Sequence, residues 1–398
     1  MRVFTLGLLC AFLIGCRQPA PEGAAAASSP STGPSTPAPV AAPQSASPFP
    51  LRVEGNRFVD ATGRPFEWRG ITAFRLAEML VTGREADVVA YLDWAQAERL
   101  TVVRVLLMAQ HLFKLTPEAG RQALPRLLDL AKARGLAVEA VALADTKDVR
   151  FDVEAHVREV GRIAQEKGNA LVELANEPGH PTQDGRLHDP AFLARLATLV
   201  PEPVIVALGS LEYGEEYAAA DYATTHVPRG KQPWDHVYAV ADAVRLVYAL
   251  KKPLISDEPI GAAEKREPGR RDNEPARFAA AAALTRFTGM GATFHHEGGL
   301  YGRRPEGREA ACLAAWQAGL ALLDGVSLAG DFAVGERAAR VATASGEQRV
   351  YARVTETEAV VLLIGPGPSQ VTWAQGWKEA RRAAVPGVQL AIAVRDGQ

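Results

Sequence analysis

The stretch Ala170-Leu-Val-Glu-Leu-Ala-Asn-Glu-Pro178 is an apolar run that ends in a carboxylate and a proline. The stretch Pro253-Leu-Ile-Ser-Asp-Glu-Pro259 has the same arrangement. Short apolar runs are typical of buried strands, and the proline marks the loop that follows. Each stretch therefore places a glutamate, Glu177 or Glu258, where a buried strand meets a loop. Such a pair of carboxylates indicates a site for acid/base and nucleophilic chemistry.

Strands and helices alternate over residues 51–330, which predicts an α/β fold. Apolar segments are predicted as strands at residues 66–71, 101–108, 137–144, 170–175, 203–208, 221–226, 254–256 and 291–295. Helical segments are predicted at residues 85–99, 117–134, 153–167, 190–200, 212–220, 234–250, 275–287 and 309–323. This pattern predicts a (β/α)8 TIM barrel, whose usual size is about 250 residues. A doubly wound open sheet is the alternative, but no glycine-rich phosphate loop follows the first strand.

Residues 331–398 have a different character, because β-forming segments there are separated by Gly, Pro and Ser turns. The strand candidates are residues 340–343, 348–354, 359–364 and 388–394. They predict a small C-terminal β-rich module that packs on the barrel as an accessory sheet. An independent carbohydrate-binding domain is the alternative, although about 65 residues make a small core for one.

Residues 1–15 have the pattern of an export signal, since Arg2 precedes an apolar run too short to span a bilayer. The run ends in Leu13-Ile-Gly-Cys16, which resembles a bacterial lipobox, so Cys16 is expected to become the lipidated N-terminus. An ordinary signal peptide with an incidental cysteine is the alternative. Arg17, by the same resemblance, implies the outer membrane. Residues 16–50 are rich in Ala, Pro and Ser and are predicted to be a disordered tether, reaching roughly 30 Å.

Composition narrows the possible partners. The formal net charge is −2, with both signs interspersed, which gives no indication of nucleic-acid binding. Of the three cysteines, only Cys312 lies in the predicted barrel, so no disulfide is expected. Contact with the membrane is expected through the lipid anchor only. We expect a monomer that needs no cofactor.

Glu177 and Glu258 follow the fourth and seventh predicted strands, at the barrel end where active sites form. Strand alternation puts Glu177 on the face of Glu173, and Glu258 on the face of Ser256, so both are expected to point inward. The same alternation predicts that Asp257 points the other way. A strand-end glutamate can instead cap a helix or form an ion pair, and that alternative stays open for each residue taken alone.

Several strings together carry a family resemblance: Phe58-Val-Asp-Ala-Thr-Gly-Arg-Pro-Phe66 leading to Trp68-Arg-Gly-Ile71, Arg104, Glu173-Leu-Ala-Asn-Glu-Pro178, His226 and Glu258. Over residues 51–330 the chain resembles the clan A glycoside hydrolases, closest in style to the cellulase-like family 5. The fourth-strand string is the most specific of these features. The resemblance implies that Glu177 is the general acid/base and Glu258 the nucleophile of a retaining enzyme for β-glycosidic bonds.

The chemistry needs one carboxyl to protonate the leaving oxygen while an ionised one, about 5 Å away, attacks the anomeric carbon. Arg104 is expected to face inward and keep Glu258 ionised through a charge-assisted hydrogen bond. Asn176 is expected to bind a sugar hydroxyl, and His226 to orient a carboxylate or a hydroxyl. The structural alternatives are a buried ion-pair partner, a turn residue and a satisfied core histidine, respectively.

The chain also departs from the resembled family, because its eighth predicted strand lacks the tryptophan that usually floors the sugar site. Phe294, His295 or His296 would have to replace it, and we select His296, with Tyr301 and Trp234, as substrate-supporting residues. The usual His-x-Tyr of the sixth strand and the histidine ending the third are also missing, which weakens the substrate assignment. His295-His296-Glu297 with His226 raises the alternative of a metal site. Adjacent strand residues face opposite ways, however, and no His-x-His or His-Glu-x-x-His spacing occurs, so no metal site is predicted.

Two functions of different classes follow. The first is a retaining glycoside hydrolase of the cell envelope that cleaves a poly- or oligosaccharide. The second is a catalytically silent barrel that binds glycan or serves a structural role, since a fold alone does not define an activity. The joint presence of Arg104, Asn176, Glu177 and Glu258 favours the enzyme, because a silent barrel has no chemical need for all four.

Replacing Cys16 tests the anchor. Cys16→Ser is expected to release the protein from the membrane fraction or to block its processing, because lipid attachment requires the thiol. The measurement is fractionation of cells followed by detection of the chain, with Cys10→Ser as the matched control in the same segment. Normal processing and unchanged membrane retention of Cys16→Ser would refute the lipoprotein assignment.

Overall fold

The computed structural model describes residues 47–368 and 370–395, and a parallel sheet forms its centre. The signal segment, Cys16 and nearly all of the tether lie outside the described residues. The barrel strands are β1 Arg69–Thr72, β2 Val102–Leu106, β3 Ala137–Leu143, β4 Ala170–Ala175, β5 Val206–Gly209, β6 Ala223–Thr225, β7 Leu254–Ser256 and β8 Gly291–Phe294. They pair in the order β5-β4-β3-β2-β1-β8-β7-β6, and a bridge from Ser210 to Thr224 joins the two edges. The predicted (β/α)8 barrel is confirmed.

Helices surround this sheet in the alternating order that the sequence predicts. They are α1 Leu76–Val81, α2 Glu85–Ala97, α3 Gln110–Phe113, α4 Pro117–Lys132, α5 Val153–Lys167, α6 Pro190–Ala197, α7 Asp235–Asp242, α8 Val244–Leu250, α9 Pro275–Thr288, α10 Glu297–Leu300 and α11 Gly307–Ala321. The predicted helix 212–220 is instead two 3-10 turns, because Gly214 between them has a φ of +151° that no right-handed helix contains. The predicted helix 234–250 is divided into α7 and α8 at Ala243.

The barrel interior has an apolar layer at the amino ends of the strands and a charged layer above it. The apolar layer contains Trp68, Val102, Ala137, Leu171, Ala207, Tyr222 and Ile255. Phe58 belongs to a hairpin, Arg52–Glu54 and Arg57–Val59, and stacks on the Trp68 ring at 5.4 Å. Arg104 comes two residues after Val102, so it points into the same interior one step closer to the carboxyl ends. Strand register places it beside Glu139 of β3, which begins the charged layer.

The C-terminal residues form the predicted β-rich module. Its strands are β9 Asp331–Val334, β10 Ala342–Ala344, β11 Arg349–Val354, β12 Glu358–Ile364, β13 Val371–Trp373, β14 Trp377–Val385 and β15 Val388–Arg395, with helix α12 Glu336–Ala339. Five pair antiparallel in the order β9-β11-β12-β15-β14. One face of this sheet, including Tyr351 and Leu362, joins the same apolar cluster as Phe287 of α9. Residues 47–398 thus form one compact unit, and a domain boundary at residue 330 stays a prediction.

The described helices and the one described cysteine can be compared with the sequence predictions. Among the described residues, no helix is long and apolar enough to cross a membrane. Cys312 of α11 is buried with a free thiol, and burial raises its pKa to about 12. The thiol therefore stays protonated and behaves as a small apolar side chain.

Candidate active site

Glu177 and Glu258 lie two residues beyond the ends of β4 and β7, at the carboxyl end of the barrel. Both contact the imidazole ring of His226, which follows β6. Glu177 Oε1 is 3.4 Å from His226 Nδ1, and Glu258 Oε2 is 3.9 Å from His226 Nε2. The two carboxylates therefore approach opposite nitrogens of one buried ring, and an open cleft reaches both.

The backbone at Glu177 is unusual. Its φ is +45°, a left-handed conformation that costs a glutamate on the order of 1 kcal/mol or more. Gly209, at the end of β5, lets this loop come close, because a Cβ there would lie 2.6 Å from the Ala175 carbonyl oxygen and 3.0 Å from Pro178 Cδ. The neighbouring strand thus holds Glu177 in a conformation that a free loop would avoid.

Arg104 is fully buried and connects the charged groups of the site. Its Nη1 donates to Glu258 Oε2 at 2.9 Å, and its Nη2 donates to Glu173 Oε2 at 2.7 Å. Its Nε lies 3.3 Å from Asp257 Oδ2 and 3.6 Å from Glu139 Oε2. One guanidinium therefore meets four carboxyl groups from three elements of the barrel.

These buried carboxyl groups differ in protonation. The pKa of Asp257 is raised to about 7, chiefly by burial. The negative charges of Glu173 and Glu258 also raise this pKa, and the positive charge of Arg104 offsets the shift only in part. Burial, with the nearby Glu173, also raises the pKa of Glu139 well above its ordinary range. For Glu258, burial is outweighed by His226, Arg104 and Arg229, so its pKa falls well below the ordinary value. Glu258 is therefore the ionised carboxylate that a nucleophile must be.

His226 is positively charged at neutral pH. Burial alone would lower its pKa, but Asp257, Glu258 and Glu177 raise it to about 9. Its Nε2 lies 3.4 Å from Asp257 Oδ1, opposite the contact of Nδ1 with Glu177. The imidazolium ring of His226 therefore lies between the buried carboxyl of Asp257 and the half-buried carboxyl of Glu177.

Asn176 and Arg104 are hydrogen-bonded to each other, a contact that was not predicted from the sequence. The Asn176 side-chain oxygen accepts from Arg104 Nη2 at 2.8 Å, while its backbone N–H donates to the Leu143 carbonyl of β3. The Asn176 carbonyl accepts from the Gln183 side chain. Since its oxygen is engaged, the amide N–H2 of Asn176 is the part available to a ligand.

The expectation that Asp257 points away from Glu258 is wrong. Asp257 is fully buried and faces Arg104 and His226, in the same interior as Glu258. Strand β7 ends at Ser256, so strict alternation no longer applies to the two residues after it.

Three other predicted residues lie outside the cleft. His296 is fully buried, with its Nδ1 3.2 Å from Glu309 Oε2 of α11, so it faces the helix layer. Its neighbour His295 faces the site instead, with Nε2 3.9 Å from Glu258 Oε1 and Nδ1 2.8 Å from Thr72 Oγ1. Trp234 stacks on Tyr238 at the start of α7, and Tyr301 is exposed beyond α10. Neither aromatic ring lines a cavity at the two carboxylates.

The sequence analysis missed several residues of the site. Glu139 carried a usable signal, because a charge inside the apolar run of β3 must find a buried partner. It accepts from the Tyr222 hydroxyl at 3.0 Å. Glu212 lies 3.7 Å from His226 Nδ1, and Arg229 lies 3.7 Å from Glu258 Oε1. Glu212 lies in a short 3-10 turn and Arg229 in a loop, and neither has a periodicity that indicates a direction.

Two adjoining cavities open over these residues. One, of about 390 Å³, is lined by Glu177, Glu212, His226, Val227, Pro228, Arg229, Gly230, Lys231 and Gly269. The other, of about 150 Å³, is lined by Arg229, Glu258, Gly261, Arg270, Arg271, His295, Glu297 and Leu300. The first cavity reaches Glu177 and the second reaches Glu258, and Arg229 lines both cavities.

Two sets of side chains have the spacing of metal ligands. Glu177, Glu212 and His226 form one, and Glu139, Glu173 and Asp257 form the other. The Arg104 guanidinium already occupies the centre of the second set. In the first set, His226 Nδ1 contacts the carboxylates of Glu177 and Glu212 directly. Both arrangements are explained by the ion pairs described above.

Several solved structures have similar folds. A family 5 glycoside hydrolase of Bacteroides vulgatus is 14% identical with a TM-score of 0.57, covering 87% of this chain and 94% of its own. A putative glycoside hydrolase of the same organism is 13% identical with a TM-score of 0.58, covering 87% and 82%. A β-glucanase of Saccharophagus degradans, solved with cellotetraose, is 12% identical with a TM-score of 0.51, covering 68% and 93%. This chain has the fold of those enzymes. No family model and no curated protein sequence matches it.

The charge on His226 predicts a pH dependence of stability. The native ring keeps its proton up to about pH 9, whereas an unfolded histidine loses it near 6.5. Unfolding therefore releases a proton between these values, and the stabilisation present below pH 6.5 is lost as pH rises through 9. The difference in unfolding free energy between the parent and His226→Gln is expected to shrink from pH 6.5 to pH 9.5, as measured by urea denaturation.

His156→Gln is the matched control. His156 is also buried, but burial lowers its pKa to about 4, so it is neutral throughout this range. The difference in unfolding free energy between His156→Gln and the parent should stay constant at pH values well above 6.5, where the unfolded histidine is also neutral. A constant difference for His226→Gln as well would contradict the charged state of His226.

Proposed function

We propose that this protein is a retaining glycoside hydrolase that cleaves β-glycosidic bonds of a poly- or oligosaccharide. The observation that supports this most is the placement of Glu177 and Glu258 on opposite sides of His226, with Glu258 held ionised in the barrel interior. Retaining glycosidases need an acid and an ionised nucleophile on either side of the bond. The shared fold with family 5 enzymes is consistent with this chemistry.

In the first step, a Glu258 oxygen attacks the anomeric carbon while Glu177 gives its proton to the leaving oxygen. The glycosidic C–O bond breaks, and the sugar is left esterified to Glu258. In the second step, the Glu177 carboxylate takes a proton from water as that water attacks the same carbon. The ester bond breaks and Glu258 is released as a carboxylate. Two inversions leave the configuration unchanged.

The surrounding residues have distinct parts in this scheme. Arg104 holds Glu258 Oε2 and orients the other oxygen toward the cleft. Asn176, fixed through its oxygen by Arg104, is placed to donate its N–H2 to a sugar hydroxyl beside the bond that is cleaved. A hydrogen bond of this kind strengthens in the transition state. The contact of His226 Nδ1 with Glu177 Oε1 positions the acid/base against the same framework.

The proposal includes the location of the enzyme. A lipid on Cys16 and the tether of residues 16–50 would hold the barrel near an envelope membrane, most simply the outer membrane. The tether would let the barrel search roughly 30 Å of space around its anchor. A glycan outside the inner membrane is the substrate that this arrangement suits.

Glu258→Ala tests the nucleophile. It is expected to lower turnover on an activated aryl glycoside by at least about 10⁴-fold, because no covalent intermediate can form. Azide is expected to restore cleavage by occupying the vacated space and to yield the glycosyl azide of inverted configuration. Product configuration by NMR is the measurement, and Glu154→Ala, an exposed glutamate of α5, is the control.

Glu177→Ala tests the acid/base. The first step is expected to survive for leaving groups that need little protonation, so dinitrophenyl glycosides should show a burst of phenol followed by slow turnover. Azide should accelerate the second step and give a product of retained configuration. If both glutamate variants hydrolyse within a few-fold of the parent, the assigned pair is wrong. A parent that cleaves no glycoside yet binds glycan would support the silent barrel.

A further inference from the structure

The cleft over the two carboxylates is lined by charged side chains. Besides Glu177, Glu258 and the charged His226, the linings of its two cavities contain four further cationic residues and two further carboxylates: Arg229, Lys231, Arg270, Arg271, Glu212 and Glu297. Within the described residues, their linings contain no Trp, Tyr or Phe. Sites for uncharged ligands bury apolar and aromatic surface around a few polar groups. This cleft instead has many charged side chains and, in the described part of its lining, none of these three aromatic residues, which indicates a charged ligand.

Arg229 has the position of an anion-binding group. It borders both cavities, and its Nη2 donates to the Glu258 carbonyl oxygen at 3.1 Å, which fixes the guanidinium beside the cleft. A guanidinium carries five N–H donors, and this is the only hydrogen bond that the described part of the chain provides for Arg229. With 27% of its side chain exposed, the remaining donors are open to the cavities.

The other cations differ in how strongly they are already paired. Arg271 Nη1 lies 3.0 Å from Glu297 Oε1, and Arg270 Nη1 lies 2.7 Å from Glu267 Oε1. Lys231 is exposed, and no carboxylate in the described residues forms an ion pair with its ammonium group. Arg229 and Lys231 are therefore the cations best able to bind a further negative charge.

The ionised Glu258 makes this placement selective. An acidic sugar entering the cleft would be repelled by Glu258 unless a cation stood between them. Arg229 Nη2 is 3.7 Å from Glu258 Oε1 and also faces the cavities, so it can neutralise both anions at once. A planar guanidinium also matches carboxylate and sulfate oxygens in bidentate geometry.

We propose that the glycan is acidic, and that Arg229, assisted by Lys231, binds the anionic substituent of the sugar next to the cleaved bond. This inference rests on the proposed glycosidase function and names the substrate class of the same site. The anionic substituent is the carboxylate of a hexuronate or a sulfate ester, which share this chemistry.

Matched polymers test the preference with the full-length protein. One arm compares β-linked polyglucuronate with its carboxyl-reduced form, and a second compares cellulose sulfate with its desulfated form. Release of reducing ends is expected to be at least about tenfold more efficient, as kcat/KM, on the acidic member of one pair. The pair that shows the preference identifies the substituent. The preference should also weaken as salt is raised, because the contact is partly exposed.

Arg229→Gln separates recognition from catalysis. It is expected to lower kcat/KM on the acidic polymer by about tenfold or more, relative to its effect on the neutral partner. The ratio of kcat/KM on the acidic polymer to kcat/KM on the neutral polymer is the deciding quantity. Loss of Arg229 also changes the charge beside Glu258, and this change affects both polymers alike. Arg304→Gln is the control, since Arg304 is exposed and lines neither cavity. Its ratio should equal that of the parent.

Calorimetric binding of a β-linked glucuronate tetramer, a sulfated cellotetraose and plain cellotetraose gives a readout independent of turnover. Equal cleavage and equal binding of acidic and neutral forms would overturn the inference while the Glu177 and Glu258 assignments stand. Arg229-dependent binding of an acidic tetramer without any cleavage would support the acidic ligand and overturn the hydrolase. Absence of both binding and cleavage of acidic forms would overturn the inference.

Discussion

The burial of one guanidinium among four carboxyl groups is the constraint on which the rest of the barrel end depends. Arg104 has no exposed surface, so the carboxylates around it, with the Phe74 ring and the Asn176 side-chain oxygen, stabilise its charge in place of water. Removing one partner of a buried pair costs about 3–5 kcal/mol, because the remaining charge stays buried. The raised pKa values of Glu139 and Asp257 show that burial beside other carboxyl groups makes their ionised forms less favourable. Glu258, at the edge of the cluster, keeps its charge.

The same cluster extends to the proposed acid/base through His226. Asp257 and Glu177 lie at the same distance, 3.4 Å, from the two nitrogens of that ring. His226 therefore connects the buried layer to the half-buried carboxyl of Glu177. The strained backbone at Glu177 fits this arrangement, because conformations of this kind persist where neighbouring structure enforces them, and they concentrate at functional sites.

The cleft above this framework differs in character from the framework itself. Its cations come from the loops after β6 and β7, whereas the aromatic residues Trp234 and Tyr301 lie to the side. Loops can change without disturbing the strands that carry Arg104 and Glu173. Carboxylate chemistry on the strands and recognition of substrate charge by the loops can therefore occupy separate parts of one chain, as we propose for Arg104 and Arg229.

The sequence by itself determined the order of strands and helices, the β-rich C-terminal module and the strands that end in Glu177 and Glu258. Hydrophobic periodicity and strand-end position are local signals, and in a barrel the local order of elements specifies the topology. Strands β9, β13 and β14 were missed, because their half-exposed residues lack a continuous apolar pattern. Only the tertiary structure decided that Asp257 turns inward, that His295 rather than His296 faces Glu258, and that Arg229 reaches the cleft. These residues lie past the ends of β6, β7 and β8, where alternation stops and side-chain direction depends on contacts between segments distant in the chain.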